Sequence, residues 1–188
     1  MERDARRGWR SEAARLDAAI YAAVAQTPTP MLDRSLARLA RAADHSRLSL
    51  AAAGVLAATG GERGRRAAAH GLVAVGATSA LVNLIAKPLG RRRRPHRATA
   101  RVAPARHVPM PGSAAFPSGH AASAFAFATA VGHVLPHAAI PLHGLAALVA
   151  YSRVHVGVHY PGDVVAGALA GTAIAQLTSD ALERRGGR

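Results

Sequence analysis

Three short segments hold side chains suited to gripping an anion and acting on it. The first, KPLGRRRRP at 87–95, offers Lys87 and then Arg94 followed by Pro95. The second, PSGH at 117–120, offers Ser118, the amide of Gly119, and His120. The third, SRVHVGVHYPGD at 152–163, offers Arg153, His159 and Asp163. Lys87, Arg94 and Arg153 bring positive charge, and the arginines bring forked donors that suit phosphate oxygens. Ser118 and Gly119 stand where an apolar helix over 120–135 begins, and a helix N-terminus is a ready anion site. His159 precedes Tyr160-Pro161-Gly162, so it is expected just outside the helix that Pro161 starts. Asp163, in that helix's first turn, can reach back to one imidazole nitrogen. There it would fix the tautomer and raise the basicity of the other nitrogen. His120 is placed to protonate a leaving oxygen. Two histidines at one anion site suggest a nucleophile and an acid.

Together the three segments resemble the signature of the type 2 phosphatidic acid phosphatase superfamily, which includes vanadium haloperoxidases and bacterial acid phosphatases. That signature reads K-x6-RP, PSGH and SR-x5-H-x3-D, and all three parts stand in order between residues 87 and 163. The resemblance implies His159 as a nucleophile forming a phosphohistidine, Asp163 as its partner, and His120 as general acid. It implies Lys87, Arg94, Ser118, Gly119 and Arg153 as the phosphate cradle. It also implies a helical bundle that uses no metal and no other cofactor, with about six spans in membrane members. Residues 1–60 carry no part of the signature.

These residues need a frame. The chain has 188 residues, enough for one domain, and 50% of them are apolar. Alanine dominates, which favours helices. The formal charge of +14 first suggests a nucleic-acid or anionic-membrane partner. Its distribution is more telling, because no Asp, Glu, Lys or Arg occurs between Arg106 and Arg153. Helices of a soluble domain need a polar face, whereas apolar blocks alternating with arginine clusters are the pattern of a polytopic membrane protein. The expected fold class is therefore all-α, a transmembrane bundle of about five to six helices with its site at one membrane face. Apolar blocks lie at 48–61, 67–86, 120–135, 138–151 and 164–179. Following their parity brings the loops 87–119 and 152–162 to the same end of the bundle. The expected organisation is an N-terminal helical segment over 1–46, a membrane-embedded phosphatase domain over 47–183 with site loops 87–119 and 152–163, and a basic tail over 184–188.

The N-terminal segment reads as a helix at 11–26, ended by Thr27-Pro28-Thr29-Pro30, then a second at 31–43. In the second helix Leu32, Leu36, Leu39 and Ala43 form one stripe and Arg34, Arg38 and Arg41 another. That pattern suits a helix lying at the membrane surface or one packed on its neighbours. Asp44-His45-Ser46 offers capping residues for the next helix. Met1 to Arg15 lacks the apolar core of a signal peptide, and the absence of cysteine excludes disulfides and thiolate metal sites.

The remaining candidates have plainer readings. Arg91, Arg92 and Arg93 are expected to be solvated or to bind headgroups. His155 and His159 stand four apart and mimic a metal pair, but Pro161 and the intervening valines argue against a helix there. His70, His133, His137 and His143 read as structural or interfacial, and Trp9 as an interface anchor or a tail residue. The expected function is hydrolysis of a lipid phosphate monoester or pyrophosphate, such as a polyprenyl phosphate, phosphatidic acid or phosphatidylglycerol phosphate. The expected partners are that substrate and the bilayer, with no nucleic acid. Rival readings are a vanadate haloperoxidase and a non-catalytic basic protein that binds lipid or nucleic acid. The arginine-rich loop 87–119 favours a cytoplasmic site by the positive-inside trend, whereas the family resemblance favours an extracytoplasmic one, and the latter is adopted here.

Overall fold

The computed structural model describes residues 2–186, and the side chains of residues 11–185. Trp9 and the end of the basic tail lie outside the described side chains. Helix α1 (Glu2–Gln26) stops where Thr27 turns its hydroxyl back onto the Ala23 carbonyl, 2.7 Å away, and Pro28 bars a further turn. Helix α2 (Pro30–Ala42) starts with Pro30, whose fixed φ suits a first helical position. Helices α3 (Arg47–Thr59), α4 (Gly61–Gly90), α5 (Gly119–Val134), α6 (Pro136–His155) and α7 (Pro161–Gly186) complete the bundle. The five apolar blocks fall in these last five helices, and all the regular structure among the described residues is helical.

Helix α5 is the hub, packed against α4, α6 and α7, while α3 lies on α4. Small residues make this packing possible. Ala74 of α4, Ala126 and Ala130 of α5 and Ala175 of α7 form one buried seam. A Cβ on Gly167 or Gly171 of α7 would overlap the carbonyl oxygens of Ser118 and Ala122. The two glycines stand four apart and let the backbones of α5 and α7 touch, as small residues do between membrane helices.

The large apolar side chains point the other way. Leu50, Leu84, Leu89, Ile140, Leu169 and Leu177 are all exposed, spread over α3, α4, α6 and α7. An interior of alanine and glycine with leucine outside suits a lipid surround, because lipid gives no hydrophobic reason to bury leucine. Among the described residues, one helix, Gly61–Gly90, has the length and hydropathy to cross a bilayer unaided. Helix α5, with 16 residues, reaches only about 24 Å of a hydrocarbon core of about 30 Å.

Several sequence expectations need correction. The helix of the 67–86 block runs on to Gly90, so Lys87 is helical and does not open the first site loop. Helix α6 continues to His155, so Ser152 and Arg153 occupy its last turn and the second loop shrinks to 156–160. Asp44-His45-Ser46 caps nothing with its side chains; it forms a short 3-10 turn. Helix α2 packs on the end of α6 through Leu36, Ala37 and Ala40, leaving Leu32 exposed. Its inner face is set by Asp33, which pairs at 2.8 Å with the buried Arg106.

Candidate active site

Helix ends deliver the site. Lys87 sits in the last turn of α4, directly after a widened π turn at Val82–Ala86. Its Nζ donates to Asn83 Oδ1 at 2.8 Å and to Ser113 Oγ at 3.1 Å. Ser118 caps α5 and is fully buried, with Gly119 and His120 in the first turn behind it. A Cβ on Gly119 would lie 3.6 Å from Lys87 Nζ, which brings the first and second segments together. The Ser118 amide donates to the carbonyl of Asp163 at 2.8 Å, which ties the second segment to the third.

The second loop presents His159 with only 1% of its surface exposed. Arg94 Nη1 stands 3.2 Å from His159 Nε2 and also donates to the Val158 carbonyl at 2.8 Å. A guanidinium can only donate, so Nε2 must be the unprotonated nitrogen. The ring proton then belongs to Nδ1, which faces Asp163 Oδ2 at 3.5 Å, the outer edge of hydrogen-bond range. Burial pushes the His159 pKa down to about 4, and Arg94 and Arg153 reinforce it against the pull of Asp163. His159 is thus a neutral imidazole whose lone pair points at a cation. Burial alone would raise the Asp163 pKa, but His159, the Tyr160 amide and Arg92 hold it below the usual carboxylate range. Asp163 is therefore an anion.

Arg153, 1% exposed, donates to the Ala40 carbonyl at 2.9 Å and approaches Asp44 Oδ1 at 3.6 Å. The three cations and both histidines of the sequence reading accordingly collect at one end of the bundle, together with Ser118, Gly119 and Asp163. A cavity of about 200 Å³ opens beside His120 and Lys87, walled by Asn83, Ser123 and the 43–49 segment. It shares Leu48, Ser49, Ala124 and Val149 with a narrower apolar cleft that runs on between α3, α5 and α6.

Three acidic or basic residues at the site escaped the sequence reading. Arg92, expected to be solvated, bridges Asp163 at 2.8 Å and Asp17 of α1 at 2.6 Å. Asp17 also accepts the Gly162 amide at 2.7 Å, so it anchors the start of α7. Asp44 accepts from His120 Nε2 at 2.9 Å. Only spacing within 87–163 was available to find them, and Asp17 and Asp44 lie far outside that range. His155 does not pair with His159. Its Nε2 faces Asp33 Oδ1 at 3.1 Å, away from the cation cluster.

Fixed cations converge on one helix N-terminus with an imidazole among them, an arrangement suited to holding a phosphate group. Residues 67–186 match the PAP2 superfamily, and the chain belongs to that superfamily. Its fold is similar to the crystal structure of Aquifex aeolicus LpxE, with a TM-score of 0.71 and 26% identity over 87% of this chain and 94% of that one. It is also similar to a transmembrane PAP2-type phosphatidylglycerolphosphate phosphatase from Bacillus subtilis. There the TM-score is 0.69, with 25% identity over 92% of this chain and 87% of that one. No curated protein sequence matches the chain.

Proposed function

We propose that this chain is a multi-pass membrane enzyme that hydrolyses the phosphate monoester or pyrophosphate of a lipid through a phosphohistidine on His159. The observation that carries the reading is the 3.2 Å approach of Arg94 Nη1 to His159 Nε2, because a guanidinium only donates and so requires that nitrogen bare. When phosphate enters, Arg94 exchanges its bond to Nε2 for phosphate oxygens, and Lys87 and Arg153 neutralise the remaining charge. The Nε2 lone pair attacks phosphorus as the bond to the leaving oxygen breaks, and His120 gives that oxygen its proton. Neutral His120 then takes a proton from water, whose oxygen attacks phosphorus. The N–P bond breaks, and inorganic phosphate departs with His159 neutral again. Asp163 stabilises the charge that develops on the imidazole during both steps.

The cavity beside His120 supports a lipid leaving group, because it continues into the apolar cleft between α3, α5 and α6. The relatives support the same class, since one is a phosphatidylglycerolphosphate phosphatase. Phosphatidylglycerol phosphate, phosphatidic acid and polyprenyl phosphates are the substrates to try, at a site facing away from the cytoplasm.

The test is phosphate release by the detergent-purified protein from a panel of these lipids and from p-nitrophenyl phosphate. His159→Ala should abolish release from every substrate. His120→Ala should lose about 10²–10⁴ in rate on a lipid phosphate but keep a larger fraction on p-nitrophenyl phosphate, whose phenolate leaves without a proton. Full activity in His159→Ala, or equal losses on both substrates for His120→Ala, would overturn the assignment.

A further inference from the structure

Asp44 touches the site from outside the matched family segment, which begins at residue 67. It stands at the joint between α2 and α3, in a turn where His45 and Ser46 both take left-handed φ values of 55° and 57°. Two adjacent residues other than glycine rarely adopt that conformation, and such strain clusters where the surroundings hold a side chain in place for use. Here the turn delivers one carboxylate. Asp44 Oδ1 accepts from His120 Nε2 at 2.9 Å and lies 3.6 Å from Arg153 Nη1.

The choice of nitrogen matters. An ionised carboxylate only accepts, so the bond requires the proton on Nε2 of His120. That leaves Nδ1 to meet the substrate. His159 is arranged in the opposite sense, with Nδ1 toward Asp163 and Nε2 toward the cations. Each histidine thus shows one nitrogen to a carboxylate and keeps the other for the reaction.

Resting on the proposed phosphatase mechanism, we infer that Asp44 is the positioning residue for His120, holding its ring by Nε2 so that Nδ1 faces the leaving oxygen. The charged groups around His120 explain why an anion is needed there. Arg153 approaches from α6, Lys87 of α4 lines the same cavity, and His159 faces it from the second loop. Burial, the Arg153 guanidinium and the nearby His159 ring all disfavour a second proton on His120, whereas Asp44 is the carboxylate that favours one. A monoanionic substrate phosphate brings the proton that Nδ1 takes up on binding. In the first step Nδ1–H passes it to the leaving oxygen as the P–O bond breaks, and the ring is left neutral with Nε2–H still on Asp44. In the second step Nδ1 takes a proton from the attacking water, which restores the imidazolium.

The experiment compares wild type, Asp44→Asn, Asp44→Ala, His120→Ala and the Asp44→Ala/His120→Ala double variant. The probes are phosphatidic acid in mixed micelles and p-nitrophenyl phosphate. The Asp44 variants should lose about tenfold to a hundredfold in kcat on phosphatidic acid, as loss of an orienting partner does. They should keep a larger fraction of kcat on p-nitrophenyl phosphate, whose leaving group needs no proton, and leave inhibition by vanadate unchanged. The double variant should be no slower than His120→Ala alone. Equal losses on both substrates, additive losses in the double variant, or a loss of vanadate inhibition would overturn the inference, the last by moving the role to Arg153. The ¹⁵N spectrum of wild-type His120 gives a reading without any variant: a lone proton on Nδ1 would also overturn it. Phosphate release by wild type with undiminished Asp44 variants sinks this inference alone. Failure of wild type on both probes sinks the phosphatase reading with it.

Discussion

The proposed chemistry requires a neutral His159, and its surroundings enforce it. An ordinary imidazole, with a pKa near 6.5, is mostly protonated at pH 5.5. Burial, with Arg94 and Arg153 behind it, holds His159 near 4, so the lone pair on Nε2 survives there and is lost only as pH falls further. The ¹⁵N shifts of His159 at pH 5.5 should therefore report a neutral ring protonated on Nδ1, and an imidazolium signal would contradict this. Arg92 acts one residue further out. It keeps the buried Asp163 ionised and in place through a 2.8 Å ion pair, while Asp17 holds its other nitrogen at 2.6 Å. Arg92→Ala should lower kcat about tenfold, the scale of one charge-assisted bond of ~1.5 kcal/mol. Because the loss falls on the side of the proposed nucleophile, it should be equal on a lipid phosphate and on p-nitrophenyl phosphate, unlike the loss from His120→Ala. Fixed spacings revealed the cation and histidine candidates in the sequence. Arg92 looked like one more arginine in a run of four, and nothing in that run marks the member with two carboxylate partners.

At the scale of helices, the small residues of α7 decide whether the site can assemble. Gly167 and Gly171 bring its backbone against Ser118 and Ala122, and the same contact sets Asp163 beside the Ser118 amide. Gly171→Val should force α7 away from α5 and cost about 1–3 kcal/mol or more through overpacking. Loss of thermal stability and of activity together would bear this out, while an unchanged melting temperature in detergent would refute it. The existence and order of the helices were legible from the apolar blocks, and the starts of α5 and α7 from Ser118 and Pro161. Two helix ends were not. Polar motif residues read as loop, yet Lys87 and Arg153 are helical. Pro88 lies within the same helix as Lys87. A proline ring clashes with the carbonyl four residues back in a regular helix, here that of Leu84, and the widened turn at Val82–Ala86 relieves that clash without ending the helix. Asp44, with Ser46, read as a cap from residue type alone, because a left-handed pair such as His45-Ser46 has no signal in a sequence without glycine there.

The whole molecule is apolar on its flanks and cationic at its site end, and this arrangement sets the last question, which side of the membrane the site faces. Exposed leucines over four helices favour burial of the flanks in lipid. The arginines at 91–106 pull toward the cytoplasmic side by the positive-inside trend. Several of them are not free to act as a topology signal, however. Arg92 is bound to Asp17 and Asp163, Arg94 to backbone carbonyls and His159, and Arg106 is buried against Asp33. Charges neutralised or enclosed within the fold contribute less to orientation than exposed ones, which leaves chiefly Arg91, Arg93 and Arg101. An extracytoplasmic site is thus compatible with the charge pattern. The chain contains no cysteine, so single introduced cysteines report without background. Ala98→Cys marks the exposed loop at the site end, and His137→Cys marks the exposed first turn of α6 at the opposite end. In intact cells a membrane-impermeant maleimide should label Ala98→Cys at once and His137→Cys only after lysis. The reverse pattern would turn the site to the cytoplasm, and labelling of both in intact cells would contradict a spanning bundle.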